Sequence, residues 1–140
     1  MKRIRAAVLL LLAVLLPACG AVGMTPEETV RYYFERMVKR DEAGMNAVVA
    51  EELRGAEAEL EHLVSVKLLS CEQETDESVM PFQDHWYDGD PYDIALVRAT
   101  FEIEYENGGG GGFDNGEYHW NFWLVKDSEE ADWQIAMSGV

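Results

Sequence analysis

The stretch DIALVRATFEIEY, residues 93–105, restricts the fold more than any other part of the chain. Ala95, Val97, Ala99, Phe101, Ile103 and Tyr105 fall on one side, and Arg98, Thr100, Glu102 and Glu104 on the other. A period of two sustained over more than ten residues is the signature of a half-buried β-strand. After five glycines, Gly108 to Gly112, the pattern resumes in GEYHWNFWLVKD. There Tyr118, Trp120, Phe122 and Leu124 share a face, opposite His119, Asn121, Trp123 and Val125. ADWQIAMSGV then places Trp133, Ile135 and Met137 together, and upstream VSVKLLSCEQE sets Val64, Val66 and Leu68 against Leu69 and Cys71. Successive strands joined by turn-rich segments predict an antiparallel meander.

The residues ahead of these strands carry the helical period instead. TPEETVRYYFERMVKRD offers Thr25 as N-cap, Pro26 at the first helical position and Glu28 three residues after the cap, the combination that opens a helix. Val30, Tyr33, Phe34, Met37 and Val38 form its apolar stripe, and Lys39 and Arg40 close it with the charge that suits a helix C-terminus. A second helix is expected from Glu42 to Leu53, burying Met45, Val48, Val49 and Leu53, and a shorter third one after Gly55 with Ala56, Leu60 and Leu63. Helices first and strands afterwards predict an α+β fold, with N-terminal helices packed on a curved antiparallel β-sheet. At 140 residues the chain holds one domain with a substantial core.

That domain does not include the beginning of the chain. MKRIRAAVLLLLAVLLPACG has a basic start (Lys2, Arg3, Arg5), an apolar stretch from Ala6 to Leu16 and small residues around Cys19, the anatomy of an export signal. The apolar run is shorter than the roughly 20 residues a membrane-spanning helix needs. Leu16-Pro17-Ala18-Cys19 resembles the lipobox of bacterial lipoproteins. The resemblance implies that Cys19 receives a diacylglyceryl group, becomes the first residue of the mature protein and holds it on the outer face of the membrane, since two acyl chains anchor stably where one is marginal. The expected organisation is a signal at 1–18, a lipidated tether at 19–24 and a single domain at 25–140.

With Cys19 acylated, Cys71 is left as the one free thiol, so packing rather than a disulfide must stabilise the fold. The charge excludes a class of partner. Eleven basic and 27 acidic residues give a net charge of −16, which becomes about −19 once Lys2, Arg3 and Arg5 are removed. A nucleic acid would be repelled.

The capped helix with its Tyr-Tyr-Phe, a second helix around Met45 and Asn46, and a closing meander ending in Trp-x-Ile resemble the nuclear transport factor 2-like (SnoaL-like, cystatin-like cone) superfamily. The SVKLLS strand, residues 65–70, and the ending from Gly116 to Val140 are similar to those of an uncharacterised family of small Gram-positive lipoproteins within it. The resemblance implies a cone-shaped domain and no particular chemistry, because that cone serves isomerases, dehydratases, binding modules and scaffolds alike.

Candidate sites follow from residue chemistry. Tyr33, Phe101, Tyr118, Trp120 and Phe122 are positioned to line a cone's mouth and meet an apolar or aromatic ligand, or to fill it as core. The loop at 76–93 gathers Asp84, His85, Asp88, Asp90 and Asp93, but its spacing departs from a calcium loop. His62, His85 and His119 form no recognisable acid–base pair in the sequence. Gly108 to Gly112 lack the Lys-Ser or Lys-Thr of a phosphate loop, stand among glutamates and precede a strand, so they read as a hairpin connection. The reading favoured is a membrane-tethered binding domain without catalysis, metal or cofactor, holding a small ligand or protein partner. Two others stay open: a small hydrolase or isomerase using His85 with Asp84 or Asp88, and a domain that homodimerises through Trp123 and Val125.

Overall fold

The computed structural model describes residues 23–54, 60–79, 89–110 and 113–140. The signal, Cys19, residues 55–59 of the expected third helix, and Asp84, His85 and Asp88 lie outside the described residues. Two helices, α1 (Pro26–Val38) and α2 (Glu42–Asn46), precede strands β1 (Leu63–Gln73), β2 (Asp93–Tyr105), β3 (Gly109–Gly110), β4 (Phe113–Asp114), β5 (Gly116–Lys126) and β6 (Gln134–Gly139). The four long strands form one antiparallel sheet in the order β1-β2-β5-β6, and β3 and β4 form a two-stranded ribbon. The fold is α+β: α1 packs on one face of an open four-stranded meander.

The first helix begins as its sequence requires. The Glu28 N–H donates to Thr25 Oγ1 at 3.1 Å and the Thr25 N–H to the Glu28 carboxylate at 2.8 Å, so the capping box satisfies two of the helix's orphan donors. Val30, Tyr33, Phe34 and Met37 are buried, whereas Val38, expected in the same stripe, is exposed. The helix ends in a Schellman motif: the Arg40 N–H donates to the Met37 carbonyl at 3.0 Å and the Asp41 N–H to that of Arg36 at 2.9 Å. Glycine usually occupies the left-handed position of this motif, yet here Arg40 takes it with φ 54°. Its guanidinium reaches the edge strand and donates to the carbonyls of Leu63 at 2.6 Å and Val64 at 3.1 Å.

The second helix is shorter than its apolar pattern suggests. It stops at Asn46, and Val48 to Ala50 run along the free edge of β6. The Ile135 N–H donates to the Val48 carbonyl and the Ala50 N–H to the Ile135 carbonyl, both at 2.8 Å. Tertiary pairing wins over helical continuation because adjacent β-branched residues favour extended backbone and an unpaired strand edge offers donor and acceptor together. Of the expected third helix, the described part is a single 3-10 turn at Leu60–His62, and β1 has already begun at Leu63.

Three register shifts correct the expected face assignments. On β1, Val64 and Leu69 are the extra residues of two bulges, between Leu63 and Ser65 and between Leu68 and Ser70. Each resets the alternation, so Leu63, Val66, Leu68 and Cys71 all face inward, while Val64 and Leu69 are exposed. On β6 the extra residue is Ala136: Ile135 pairs with Leu124 in the core, but Met137 pairs with Trp123 on the opposite face. Met137 is therefore not beside Ile135. The long alternation of β2 runs unbroken against β5, from Asp93 opposite Lys126 to Ile103 opposite Gly116.

The glycine run is a shaped connection rather than a bare turn. Asn107 and Gly108 adopt positive φ, Gly109–Gly110 pairs with Phe113–Asp114, and the Asn115 carboxamide oxygen accepts the Tyr105 N–H at 2.8 Å. That side chain continues the ladder for one step past the point where β5 leaves β2.

Candidate functional site

The residues expected at a cone mouth do come together on the inner face. Phe34 of α1 is the hub, with ring centroids 5.7 Å from Tyr33, 5.1 Å from Phe101 and 5.8 Å from Phe122. Tyr33 also meets Phe122 at 6.1 Å. From Phe101 the row continues across the sheet, stacked on Tyr118 at 5.8 Å, and then edge-on from Tyr118 to Trp120 at 6.3 Å. These distances fall within the 4.5–7 Å range in which aromatic pairs attract.

Burial divides the row in two. Tyr33, Phe101 and Phe122 are buried, whereas Tyr118 and Trp120 are half-buried and pack against the core from its margin, as do Leu60 and Leu68. The Tyr118 hydroxyl donates to the Asp114 carbonyl at 2.8 Å, which fixes the outer ring to the end of the glycine ribbon. The first three residues thus build core, and the last two present an aromatic rim. Sequence reading placed Phe34 on the helical stripe but missed its part as the hub. The signal was its position beside Tyr33, which sends two neighbouring rings into one core from adjacent angles.

The titratable groups lie elsewhere. Thr100 Oγ1 and His119 Nδ1 are 2.9 Å apart on the face opposite α1, where alternation sends His119, and His119 Nε2 is 3.7 Å from Glu117. His62, the last residue of the 3-10 turn before β1, is exposed with Nδ1 3.4 Å from the Glu106 carboxylate. Cys71 is buried beneath α1 with its Sγ 3.7 Å from the Glu27 carbonyl. Burial pushes its thiol up to about 11, against the pull of nearby Arg31, so it stays protonated at neutral pH. The Arg31 guanidinium donates to the Cys71 carbonyl at 2.9 Å and is 3.3 Å from Glu27. Among the described residues no group of three or more His, Cys, Asp or Glu side chains is placed to hold a metal ion. Asp90 and Asp93 of the acidic loop are exposed.

The opposite face has an apolar patch of its own. Leu96 and Trp123 are paired across β2 and β5, Val125 lies beside them, and all three are buried within the single chain.

A family profile matches residues 27–139, from the first turn of α1 to the end of β6. The chain belongs to the DUF4829 family, a domain of unknown function. The match includes both halves of the aromatic row, so the DUF4829 domain comprises the helix that supplies Tyr33 and Phe34 as well as the strands that supply Phe101, Tyr118, Trp120 and Phe122. No curated protein and no solved structure matches the chain. Among the described residues no helix is long and apolar enough to cross a membrane.

Proposed function

We propose that the DUF4829 domain is exported, anchored by a diacylglyceryl group on Cys19 to the outer face of the cell membrane, and binds an apolar or aromatic ligand or a protein partner without transforming it. The observation that carries the binding half is the aromatic row that begins in the core and surfaces at Tyr118 and Trp120. Rings held by neighbours lose little freedom on meeting a ligand, which is why rigid aromatics serve well as contact surface. Against chemistry stand the placement of His62 and His119 away from this row and a thiol at Cys71 held protonated by burial.

A relationship to the nuclear transport factor 2-like cone is part of the same proposal. It is supported by the chain order, a capped aromatic-bearing helix and a short second helix before an antiparallel meander.

The two halves are tested separately. Labelling of cells with a palmitate analogue is expected to mark the wild-type chain, and Cys19→Ala to release it unlabelled; an unlabelled, freely secreted wild-type protein refutes the anchor. For the rim, titration with apolar aromatic probes followed by tryptophan fluorescence is expected to saturate. That response should fall at least tenfold in apparent affinity in Trp120→Ala, corresponding to about 1.4 kcal/mol. Equal binding by the wild type and Trp120→Ala rules the rim out.

A further inference from the structure

The anchor and the fold together constrain how the domain stands on the membrane. Met24 packs against the core, and the Gly23 N–H donates to the Asp132 carboxylate at 3.2 Å, so the chain is held from residue 23 onward. Cys19 is four chain steps from Gly23, and a chain spans at most about 3.6 Å per residue, so a lipid carried on that cysteine would be held within about 14 Å of Gly23.

The domain is much longer than that reach. Asp132 stands two residues before the start of β6, whose first residue, Gln134, pairs with Val125 of β5, which pairs in turn with Ile94 near the start of β2. From Asp93, β2 runs 13 residues to Tyr105, a path of about 40 Å at roughly 3.3 Å per residue. Helix α1 follows the same direction: Arg31 reaches the carbonyl of Cys71, opposite Ala99, and Arg40 that of Leu63, opposite Tyr105. Gly23 therefore marks one pole, together with the β5–β6 turn. The glycine ribbon and the C-terminal end of α1 mark the other.

We propose, resting on the lipid-anchor reading above, that the domain stands on the lipid surface by its β5–β6 turn, with the glycine ribbon and the C-terminal end of α1 directed away from the bilayer. Among the described residues, Asp127, Glu129, Glu130 and Asp132 of that turn are all exposed and give it a negative charge. An anionic headgroup layer repels such a pole, so the domain stands off an anionic bilayer further than off a zwitterionic one. The tether, not attraction, sets the contact.

The test uses the full lipidated chain in vesicles that carry a small fraction of acceptor-labelled lipid, with a donor dye on Glu130→Cys or on Glu106→Cys. Both positions are exposed, and Cys71, buried and protonated, does not compete for the label. Transfer to the bilayer is expected to be several-fold stronger from position 130 than from position 106. On vesicles containing an anionic lipid, transfer from position 130 is expected to fall at low ionic strength and to recover in about 0.5 M salt, where screening is nearly complete. Equal or reversed transfer, in vesicles that do carry the protein on flotation, overturns the orientation alone. Transfer from position 130 that ignores lipid charge overturns the stand-off. A chain that does not float with vesicles overturns the anchor and the orientation together.

Discussion

Replacing Arg40 separates two opposing contributions that the structure places on one residue. The backbone there is left-handed, at φ 54°, a conformation that costs an L-residue about 1 kcal/mol relative to glycine. The side chain offsets that cost by donating to the Leu63 and Val64 carbonyls at 2.6 and 3.1 Å, next to the first bulge of β1. Charged donors form the stronger class of hydrogen bond, but Arg40 is exposed, so the two bonds together are discounted to about 1–2 kcal/mol. Arg40→Ala keeps the backbone cost and loses the bonds, and is expected to destabilise by about 1–2 kcal/mol. Arg40→Gly loses the same bonds but relieves the backbone, and is expected to cost about 1 kcal/mol less than Arg40→Ala. Equilibrium urea denaturation with a common slope measures the difference, which corresponds to roughly 4 °C in Tm for a domain of this size. An Ala variant as stable as the Gly variant refutes the backbone part, and an Ala variant as stable as the wild type refutes the side-chain part.

Phe122→Ala, which empties a buried position between Tyr33 and Phe34, is expected to cost about 3–5 kcal/mol by the same assay, and Trp120→Ala at the rim about 1 kcal/mol. Gly44→Ala is expected to destabilise although alanine favours helix, because a Cβ there meets the Asp41 carboxylate that caps α2 and the Arg36 side chain; a stabilised variant refutes this. Cys71 is expected to resist alkylation at pH 7–8 in the folded protein and to react once unfolded. Because its folded value is raised from 9.0 to about 11, the unfolded chain loses that proton first as pH rises. Stability should therefore fall between about pH 9 and 11 in the wild type, with a smaller slope in Cys71→Ala. Asn115→Ala removes the acceptor for the Tyr105 N–H and is expected to cost about 1 kcal/mol, with Asn115→Asp retaining most of the stability.

Legibility in the sequence tracked how local each determinant is. The start of α1 was readable because Thr25, Pro26 and Glu28 carry their own chemistry, and the inner face of β2 because every second residue from Ala95 to Tyr105 is apolar. The bulges at Val64, Leu69 and Ala136 were not, since an extra residue leaves the composition of a strand unchanged and shows only against its partner. The end of α2 failed for a related reason: Met45, Val48, Val49 and Leu53 fit a helix by spacing, but the edge of β6, far along the chain, claims the two valines. At the site, the five aromatic residues were readable as a group. Their division into core and rim was not, because it depends on where α1 lies across the sheet.

The short parallel contact between Val49 and Ile135 also bears on when the domain can be completed. The Val48 carbonyl and the Ala50 N–H pair with Ile135, so these two groups meet that partner only when nearly the whole chain is present. Contacts so distant in sequence slow folding. A chain that has not yet been synthesised as far as Ile135 therefore lacks the strand edge on which Val48 to Ala50 come to rest.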